Sequence, residues 1–193
     1  MMVGNVQRRI VSAARIVIVL ASAAGVGAVC VGDCNAETPT PAQAAGAAIN
    51  LGSASGAAGA TVAITATLAG GNRQFAATSN DIVYDSTRVK VALKGNGKPD
   101  CRINPAINAD SAAGKGLSTS QPTSPAAMKI LRVGVLATDN VNIIPDGLLF
   151  TCNFQIAAGA TPGDIVLQNT PRASDPSSAL FNLGGRNGSI AVR

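Results

Sequence analysis

The decapeptide Gly147–Ile156 alternates apolar and polar side chains, and this alternation restricts the fold more than any other feature. One side of the extended segment carries the apolar residues Leu148, Phe150, Cys152, Phe154 and Ile156. A period of two is typical of a strand with one buried and one solvated face. The cysteine in the middle of the apolar side predicts a covalent link to another part of the chain. The segment therefore favours a β-sandwich.

The composition fits one ordinary domain with an aliphatic core. A chain of 193 residues can hold such a domain with some sequence left over. Aromatic residues make up 3% and tryptophan is absent, so Ala, Val, Ile and Leu must fill the core. The net charge is +5, but outside the N-terminal segment the basic residues are scattered without runs. Scattered charge indicates a solvated surface, and we expect no nucleic-acid partner.

Residues 1–36 have the layout of a signal peptide. Arg8, Arg9 and Arg15 form a basic region, which an uncharged apolar run follows at residues 16–32. A small residue, Ala36, then offers a cleavage position. The alternative is an uncleaved membrane anchor, although the run is slightly short for a span of about 20 residues. We expect a secreted, extracellular or periplasmic location, with membrane attachment only if the apolar segment is retained.

The cysteine count predicts one disulfide bond in the exported domain. Cleavage after Ala36 removes Cys30 and Cys34 and leaves Cys101 and Cys152, an even pair in an oxidising compartment. The alternative is a metal site, but two cysteines without any histidine do not complete the tetrahedral set that zinc prefers. We expect the bridge to pin the two sheets together and to contribute roughly 4 kcal/mol. We predict no metal site.

Turn and linker signals divide the rest of the chain. Residues 37–47 are rich in Pro and Ala and are typical of a linker, which places the domain at residues 48–193. Alternation predicts strands over residues 61–68 and 130–137. In a further strand over residues 74–84 the alternation changes parity, which predicts a bulge near the Ser-Asn-Asp triplet that ends at residue 81.

Residues 99–126 contain four prolines and no periodic pattern, and we expect a long surface loop there. Gly and Pro turns separate the short alternating segments, and no convincing helix is predicted outside the signal. The sequence therefore predicts eight or nine strands in two packed antiparallel sheets.

Three stretches resemble the cohesin domain family. Residues 59–70 (GATVAITATLAG) are similar to an early strand of that domain. Residues 74–91 are similar to its strand–turn–strand passage, with Tyr84 and Asp85 at the turn. Residues 144–167 are similar to its strand with an apolar-x-Phe end, followed by a turn and a strand. The order and spacing of these stretches, rather than any single motif, carry the resemblance.

The resemblance implies a jelly-roll sandwich that is an extracellular, non-catalytic module. A face of one sheet in that family binds a dockerin, a domain that tethers polysaccharide-degrading enzymes, and related modules bind polysaccharide directly. The cysteine pair Cys101 and Cys152 departs from the usual pattern and suggests a variant branch. The resemblance assigns no partner-binding residue to a position of this chain.

The strand predicted after residue 85 carries a row of basic residues, which we call the cationic stripe and which is the one candidate binding face. Arg88, Lys90 and Lys94 are predicted on its outward side, opposite Val89, Val91 and Leu93. Such a stripe either binds a partner or keeps an exposed sheet soluble and protected from edge pairing, and the second function is the more common.

Catalysis has little support in the sequence. Histidine is absent, which removes the usual general base, and the single glutamate, Glu37, lies in the linker. Aspartates before turn residues, such as Asp85 and Asp146, are more simply turn formers. Asp139 and Asp146, with the asparagines between them, offer oxygen ligands for calcium, but no spacing matches a calcium motif. We predict a non-enzyme without a cofactor.

Three binding hypotheses remain from the sequence. The first is a dockerin-like protein partner in polysaccharide degradation, to which a sheet face of Thr, Ala, Asn and Gln would be suited. The second is direct polysaccharide binding, which would require exposed aromatic rings. Phe75 and Tyr84 are expected in the core instead, because large aromatic side chains are normally buried. The third is a structural or adhesion protein of the cell surface.

Overall fold

The computed structural model describes residues 40–108, 114–125 and 127–193. The predicted signal peptide at residues 1–36 lies outside these ranges. Within them the chain forms twelve strands and a one-turn 3₁₀ helix at Pro105–Ile107. The strands are β1 (Ala42–Leu51), β2 (Ser53–Gly56), β3 (Thr61–Ala69), β4 (Ala77–Asp85), β5 (Val89–Val91), β6 (Cys101–Ile103), β7 (Gly116–Ser120), β8 (Met128–Leu136), β9 (Gly147–Ile156), β10 (Gly163–Ser174), β11 (Leu180–Gly184) and β12 (Gly188–Val192).

The strands form one sheet that curls into two packed layers. The order along the sheet is β5-β9-β3-β1-β11-β10-β4-β8-β7, with β6 also on β9, β12 beside β10, and β2 beside β12. Strands β9 and β3 therefore lie in one layer, and β10, β4, β8 and β7 in the other. The rings of Tyr84 on β4 and Phe154 on β9 meet edge to face with centroids 5.6 Å apart, which places these two layers in contact. The predicted all-β sandwich is confirmed.

The core between the layers is mainly aliphatic. It includes the fully buried side chains of Ile49, Ile64, Ile82, Leu131, Leu149, Ile156, Leu167 and Ile190. Four aromatic rings are almost completely excluded from solvent, namely Phe75, Tyr84, Phe150 and Phe154. Within the described ranges, no helix is long and apolar enough to cross a membrane.

The decapeptide forms β9, but one of its inward residues is not the predicted one. Leu149 is fully buried, whereas Leu148 is 37% exposed. The pairing with β3 explains the difference, because Ala66 is opposite Phe150 while Thr67 is opposite Leu148. Leu149 is thus the extra residue of a β-bulge, and a bulge shifts the side-chain parity on one side of itself. From Phe150 onward, the predicted inward set is confirmed.

The bulge predicted within residues 74–84 is wrong. Strand β4 pairs with β8 and β10 in an unbroken register and alternates regularly between half-buried and buried positions. Phe75 lies before the strand and forms a separate bridge with Ile144. The apparent change of parity arose because two inward positions of β4 are polar, Thr78 and Asn80. A pattern of alternating apolar residues cannot detect an inward position that is occupied by a polar side chain.

Several short or polar strands lie in segments where the sequence predicts a linker or a loop. Strand β1 begins at Ala42, inside the predicted linker, and pairs in parallel with β11. The predicted loop at residues 99–126 contains β6 and β7. A second parallel pair, β2 with β12, makes the sheet mixed rather than purely antiparallel. Leu93, predicted to face inward, is 58% exposed because β5 ends at Val91.

The predicted disulfide is present between Cys101 and Cys152, and both residues are buried. Its place differs from the expectation that it pins two sheets together. The two cysteines are direct cross-strand neighbours on β6 and β9, so the bridge joins adjacent strands of one layer. It attaches the three-residue strand β6 to the side of β9 that β5 also borders.

Candidate functional site

The outer surface of β10, β4, β8 and β7 is the candidate functional site, and we call it the β4–β8 face. Alternate residues of β4 and β8 point into the core, so the intervening residues must point to solvent. The cross-strand registers place these outward residues in rows, except Val166, which lies on the same side of β10 two residues before its pairing with β4 begins. The face consists of Val166, Gln168, Thr170, Arg172 and Ser174 on β10, Ala77, Ser79, Asp81, Val83 and Asp85 on β4, Met128, Ile130, Arg132, Gly134 and Leu136 on β8, and Gly116, Ser118 and Ser120 on β7.

Strand geometry sets the size of this face. Four strands at the usual spacing cover about 14 Å, and five alternate residues along a strand cover about 27 Å. No side chain stands at Gly134, and a Cβ atom added there would lie 3.1 Å from Leu136 Cδ2. The neighbouring β7 contributes only glycine and serine outward. The face is therefore shallow on the β7 side, which suits a broad contact with a macromolecule.

Apolar side chains are exposed on the β4–β8 face. Val166 is 52% exposed, and Met128 and Leu136 are each 36% exposed. Val83 and Ile130, which are cross-strand neighbours near the middle, are half-buried. Exposed apolar surface rimmed by polar groups is typical of protein–protein contact sites.

An ion pair lies between these apolar residues. Arg132 donates from Nε to Asp81 Oδ1 at 2.6 Å and from its terminal nitrogen to Asp81 Oδ2 at 2.7 Å. The hydrogen bonds from Arg132 to Asp81, and the charge of that carboxylate, raise the pKa of the guanidinium further above its usual value. The two side chains are 50% and 24% exposed, so solvent screens the pair and it adds little to stability. Its two hydrogen bonds fix the orientation of the guanidinium on the face.

A groove of about 450 Å³ lies at one end of the face. Leu136 and Ala77 form part of its lining, and Leu180 of β11, which is 62% exposed, forms another part. Arg172 and the Asp81–Arg132 pair contribute its polar lining. The groove offers a recess for an apolar side chain beside charged groups.

The opposite outer face, on β3 and β9, has a different character. Its outward residues on β3 are Thr61, Ala63, Thr65, Thr67 and Ala69, and on β9 they include Thr151, Asn153 and Gln155. Of the large apolar residues on these two strands, only Leu148 is substantially exposed, at 37%. This is the Thr, Ala, Asn and Gln surface that the sequence singles out for a protein partner, and the apolar surface lies on the other layer.

The three basic residues of the predicted stripe have different surroundings in the structure. Arg88 donates to the carbonyl oxygens of Thr161 at 2.8 Å and Asp164 at 3.1 Å, and so holds the turn before β10. Lys94 Nζ donates to the carbonyl oxygen of Cys101 at 2.7 Å. Lys90 is exposed on β5. Two of the three side chains thus support local structure, and a binding role for the stripe stays a prediction.

The aspartates singled out in the sequence serve separate local contacts. Asp85 Oδ1 accepts hydrogen bonds from Thr87 Oγ1 at 2.6 Å and Thr87 N at 2.9 Å. Asp146 Oδ1 accepts from Gly70 N at 2.7 Å, where an added Cβ would lie 2.9 Å from that oxygen. Among the described residues, no cluster of three or more His, Cys, Asp or Glu side chains could hold a metal ion.

Sequence analysis identified β4 and β8 but missed most of the rest of the face. Strand β7 lies in the segment that the sequence predicts to be a loop, because the strand has only Leu117 and Thr119 on its inward side. The second half of β10 contains Pro171, which argues against a strand. In the structure Pro171 lies between the segment that pairs with β12 and the segment that pairs with β11, where that side of β10 has no partner strand.

Comparison with known proteins agrees with the fold. The cohesin domain model matches residues 47–192. A search of curated proteins found no match. The cohesin CaCohA2 of Clostridium acetobutylicum is 23% identical, with a TM-score of 0.57, and the alignment covers 76% of this chain and 90% of that one.

Two further solved structures show the same fold. A non-cellulosomal cohesin from the hyperthermophilic archaeon Archaeoglobus fulgidus is 14% identical with a TM-score of 0.54, over 76% of this chain and 91% of that one. The type I cohesin–dockerin complex Coh-OlpA–Doc918 of Clostridium thermocellum gives 16% identity and a TM-score of 0.57, over 76% and 99% of the two chains. Because the family model spans well over half of its length, this chain belongs to the cohesin domain family.

Proposed function

We propose that this chain binds a dockerin-type protein partner through the β4–β8 face and catalyses no reaction. The observation that carries the proposal is the contrast between the two outer faces. The β4–β8 face exposes Val166, Met128 and Leu136 around an oriented ion pair, whereas the β3–β9 face carries mainly small and polar residues. Solved cohesins of the same fold are in complexes with dockerins, which supports a partner of that class.

The burial of the aromatic residues favours a protein partner over a polysaccharide. The chain has one tyrosine, four phenylalanines and no tryptophan, and all five rings lie in the described ranges. Each is at most 8% exposed, and the most accessible is Phe181. Sugar-binding sites commonly stack exposed aromatic rings on the sugar, and such a platform is not present among these five residues.

Export and a role in polysaccharide degradation belong to the same proposal. The basic and apolar layout of residues 1–36 supports export, and the Cys101–Cys152 bridge suits an oxidising compartment. A module that binds a dockerin without catalysis would serve to hold an enzyme that carries the dockerin. The polysaccharide itself would be the substrate of that enzyme.

The proposal is tested by calorimetric titration with dockerin domains encoded by the same genome. The informative pair of variants is Leu136→Asp on the β4–β8 face and Ala63→Asp on the β3–β9 face, both exposed apolar residues of strands. We expect the wild type and Ala63→Asp to bind alike. Leu136→Asp should weaken binding by at least about tenfold, because it places a charge against an apolar contact.

Two results would contradict the proposal. One is equal weakening by both variants, or weakening by Ala63→Asp alone, which would move the contact to the other face. The other is absence of binding to every dockerin together with retention of the wild type on cellulose or chitin, which would favour the carbohydrate-binding alternative.

A further inference from the structure

A buried lysine contacts a side-chain amide beside the candidate face. Lys115, immediately before β7, is only 2% exposed. Its Nζ donates to Asn140 Oδ1 at 2.9 Å. Asn140 lies in the loop after β8, so this contact joins the edge strand of the sheet to the loop of the neighbouring strand. A lysine is rarely buried to this extent unless it is paired with an opposite charge or has a special function.

The groups around this contact are those required for acyl transfer. Asn140 Nδ2 donates to Asp139 Oδ1 at 3.2 Å, so a carboxylate contacts the amide nitrogen that would leave. The backbone N–H of Asn142 donates to Asn140 Oδ1 at 3.2 Å, so the amide oxygen has a second donor. Donors fixed on a carbonyl oxygen stabilise the negative charge that develops there when a nucleophile attacks. Nucleophile, acid–base group and oxyanion donor thus each contact the Asn140 amide, and Asp139 acts on Lys115 only through its charge.

We propose that Lys115 and Asn140 form an intramolecular isopeptide bond. The Lys115 ammonium loses a proton to water, and the free amine attacks Asn140 Cγ to form the Nζ–Cγ bond. The Asp139 carboxylate, which contacts Nδ2, then takes the second proton from Nζ and passes it to Nδ2. The Cγ–Nδ2 bond breaks and ammonia leaves. No oxidant or reductant is involved, and the chain loses the atoms of one ammonia molecule.

The burial of Lys115 raises the share of the neutral, reactive amine. Burial lowers the pKa of Lys115 from its usual 10.5, and the charge of Asp139 opposes this shift. A lower pKa increases the fraction of neutral amine, which is the nucleophile. The product would tie β7, an edge strand of the β4–β8 face, covalently to the loop after β8. The edge of the binding face would then be fixed independently of hydrogen bonds.

Mass spectrometry of the purified, reduced full-length chain tests this proposal. We expect the wild type to be lighter than its sequence mass by one ammonia molecule. A tryptic digest should contain a branched peptide that joins the segment of Lys115 to the segment of Asn140. Lys115→Arg keeps a cation but cannot form this bond, and it should show neither signal. Asp139→Ala should slow formation by about a hundredfold, which is typical for loss of an acid–base group.

The branched peptide is the decisive signal, because ring closure of Asn140 on its own backbone would also release ammonia. A wild-type chain with full mass would overturn the proposal. So would a lighter chain whose digest contains only linear peptides. Both measurements use the wild type, so the outcome does not depend on whether the variants fold.

Discussion

At the scale of single residues, the turn after β4 depends on the carboxylate of Asp85. Its two hydrogen bonds from Thr87, first from the hydroxyl and then from the backbone N–H, lower the pKa of Asp85 below its usual 3.8. A carboxyl whose pKa is lower in the folded chain stabilises the fold above the unfolded-state pKa. This contribution is lost as the pH falls through the folded-state pKa.

Asp85→Ala should therefore destabilise the protein modestly at neutral pH, on the order of 1 kcal/mol, because hydrogen bonds to a charged group are lost. The difference from the wild type should shrink as the pH falls below 3.8. Urea unfolding across this pH range measures it, with Asp85→Asn as the control that keeps an acceptor but no charge. A difference that stays constant or grows on acidification would refute this assignment.

Single residues also show why parts of the fold could be predicted from the sequence and others could not. On β8 the inward residues Leu131, Val133 and Val135 follow a period of two, and the strand is where the pattern predicts it. On β4 the inward residues Thr78 and Asn80 are polar, so the pattern suggested a bulge that does not exist. Asn80 instead donates to Asn169 Oδ1 at 3.0 Å inside the sandwich. Such pairing depends on a strand far away in sequence.

At the scale of elements, the bulge in β9 reverses the expected burial of two adjacent leucines. Leu149 is fully buried and Leu148 is partly exposed. Leu149→Ala should reduce the free energy of unfolding by about 2–5 kcal/mol, as for other buried leucines. Leu148→Ala should change it by no more than about 1 kcal/mol. Denaturant unfolding of this matched pair is the measurement, and the opposite order would show that β9 keeps the regular register.

The disulfide is the second element-scale feature, since it secures a strand of only three residues. Replacement of Cys101 and Cys152 together by alanine should lower stability by up to about 4 kcal/mol, given the length of the loop that the bridge closes. Because both residues are buried, a thiol reductant should act on the native protein only after local opening. Unfolding midpoints with and without reductant measure both effects. Identical midpoints for the double variant and the wild type would contradict a stabilising bridge.

The strands of the β4–β8 face also show how far secondary structure can be predicted from the sequence. Strands β4 and β8 can be predicted from their apolar residues, whereas β7 is short and consists mainly of Gly, Ser and Thr. The second half of β10 has Asn169, Pro171 and Ala173 on its inward side, which is not the alternation of large apolar residues that predicts a strand. These segments are extended because neighbouring strands pair with their backbones. A surface that four strands share is therefore visible only after the sheet order is known.

At the scale of the whole molecule, the curled sheet separates two outer faces of different chemistry. The core is closed by aliphatic side chains, and all five aromatic rings are buried in it and contribute to its packing. The exposed apolar residues of the β4–β8 face remain as the surface best suited to a partner. Membership of the cohesin family and the contrast between the faces support the same account of function.

Methyl NMR of the chain titrated with a dockerin domain that binds it tests this account most directly. Val83, Ile130 and Leu136 report on the β4–β8 face, and Ala63 and Leu148 report on the β3–β9 layer. We predict large shift changes for the first three methyl-bearing residues and little change for the other two. Changes concentrated at Ala63 and Leu148, or no change at any of the five, would contradict partner binding through the β4–β8 face.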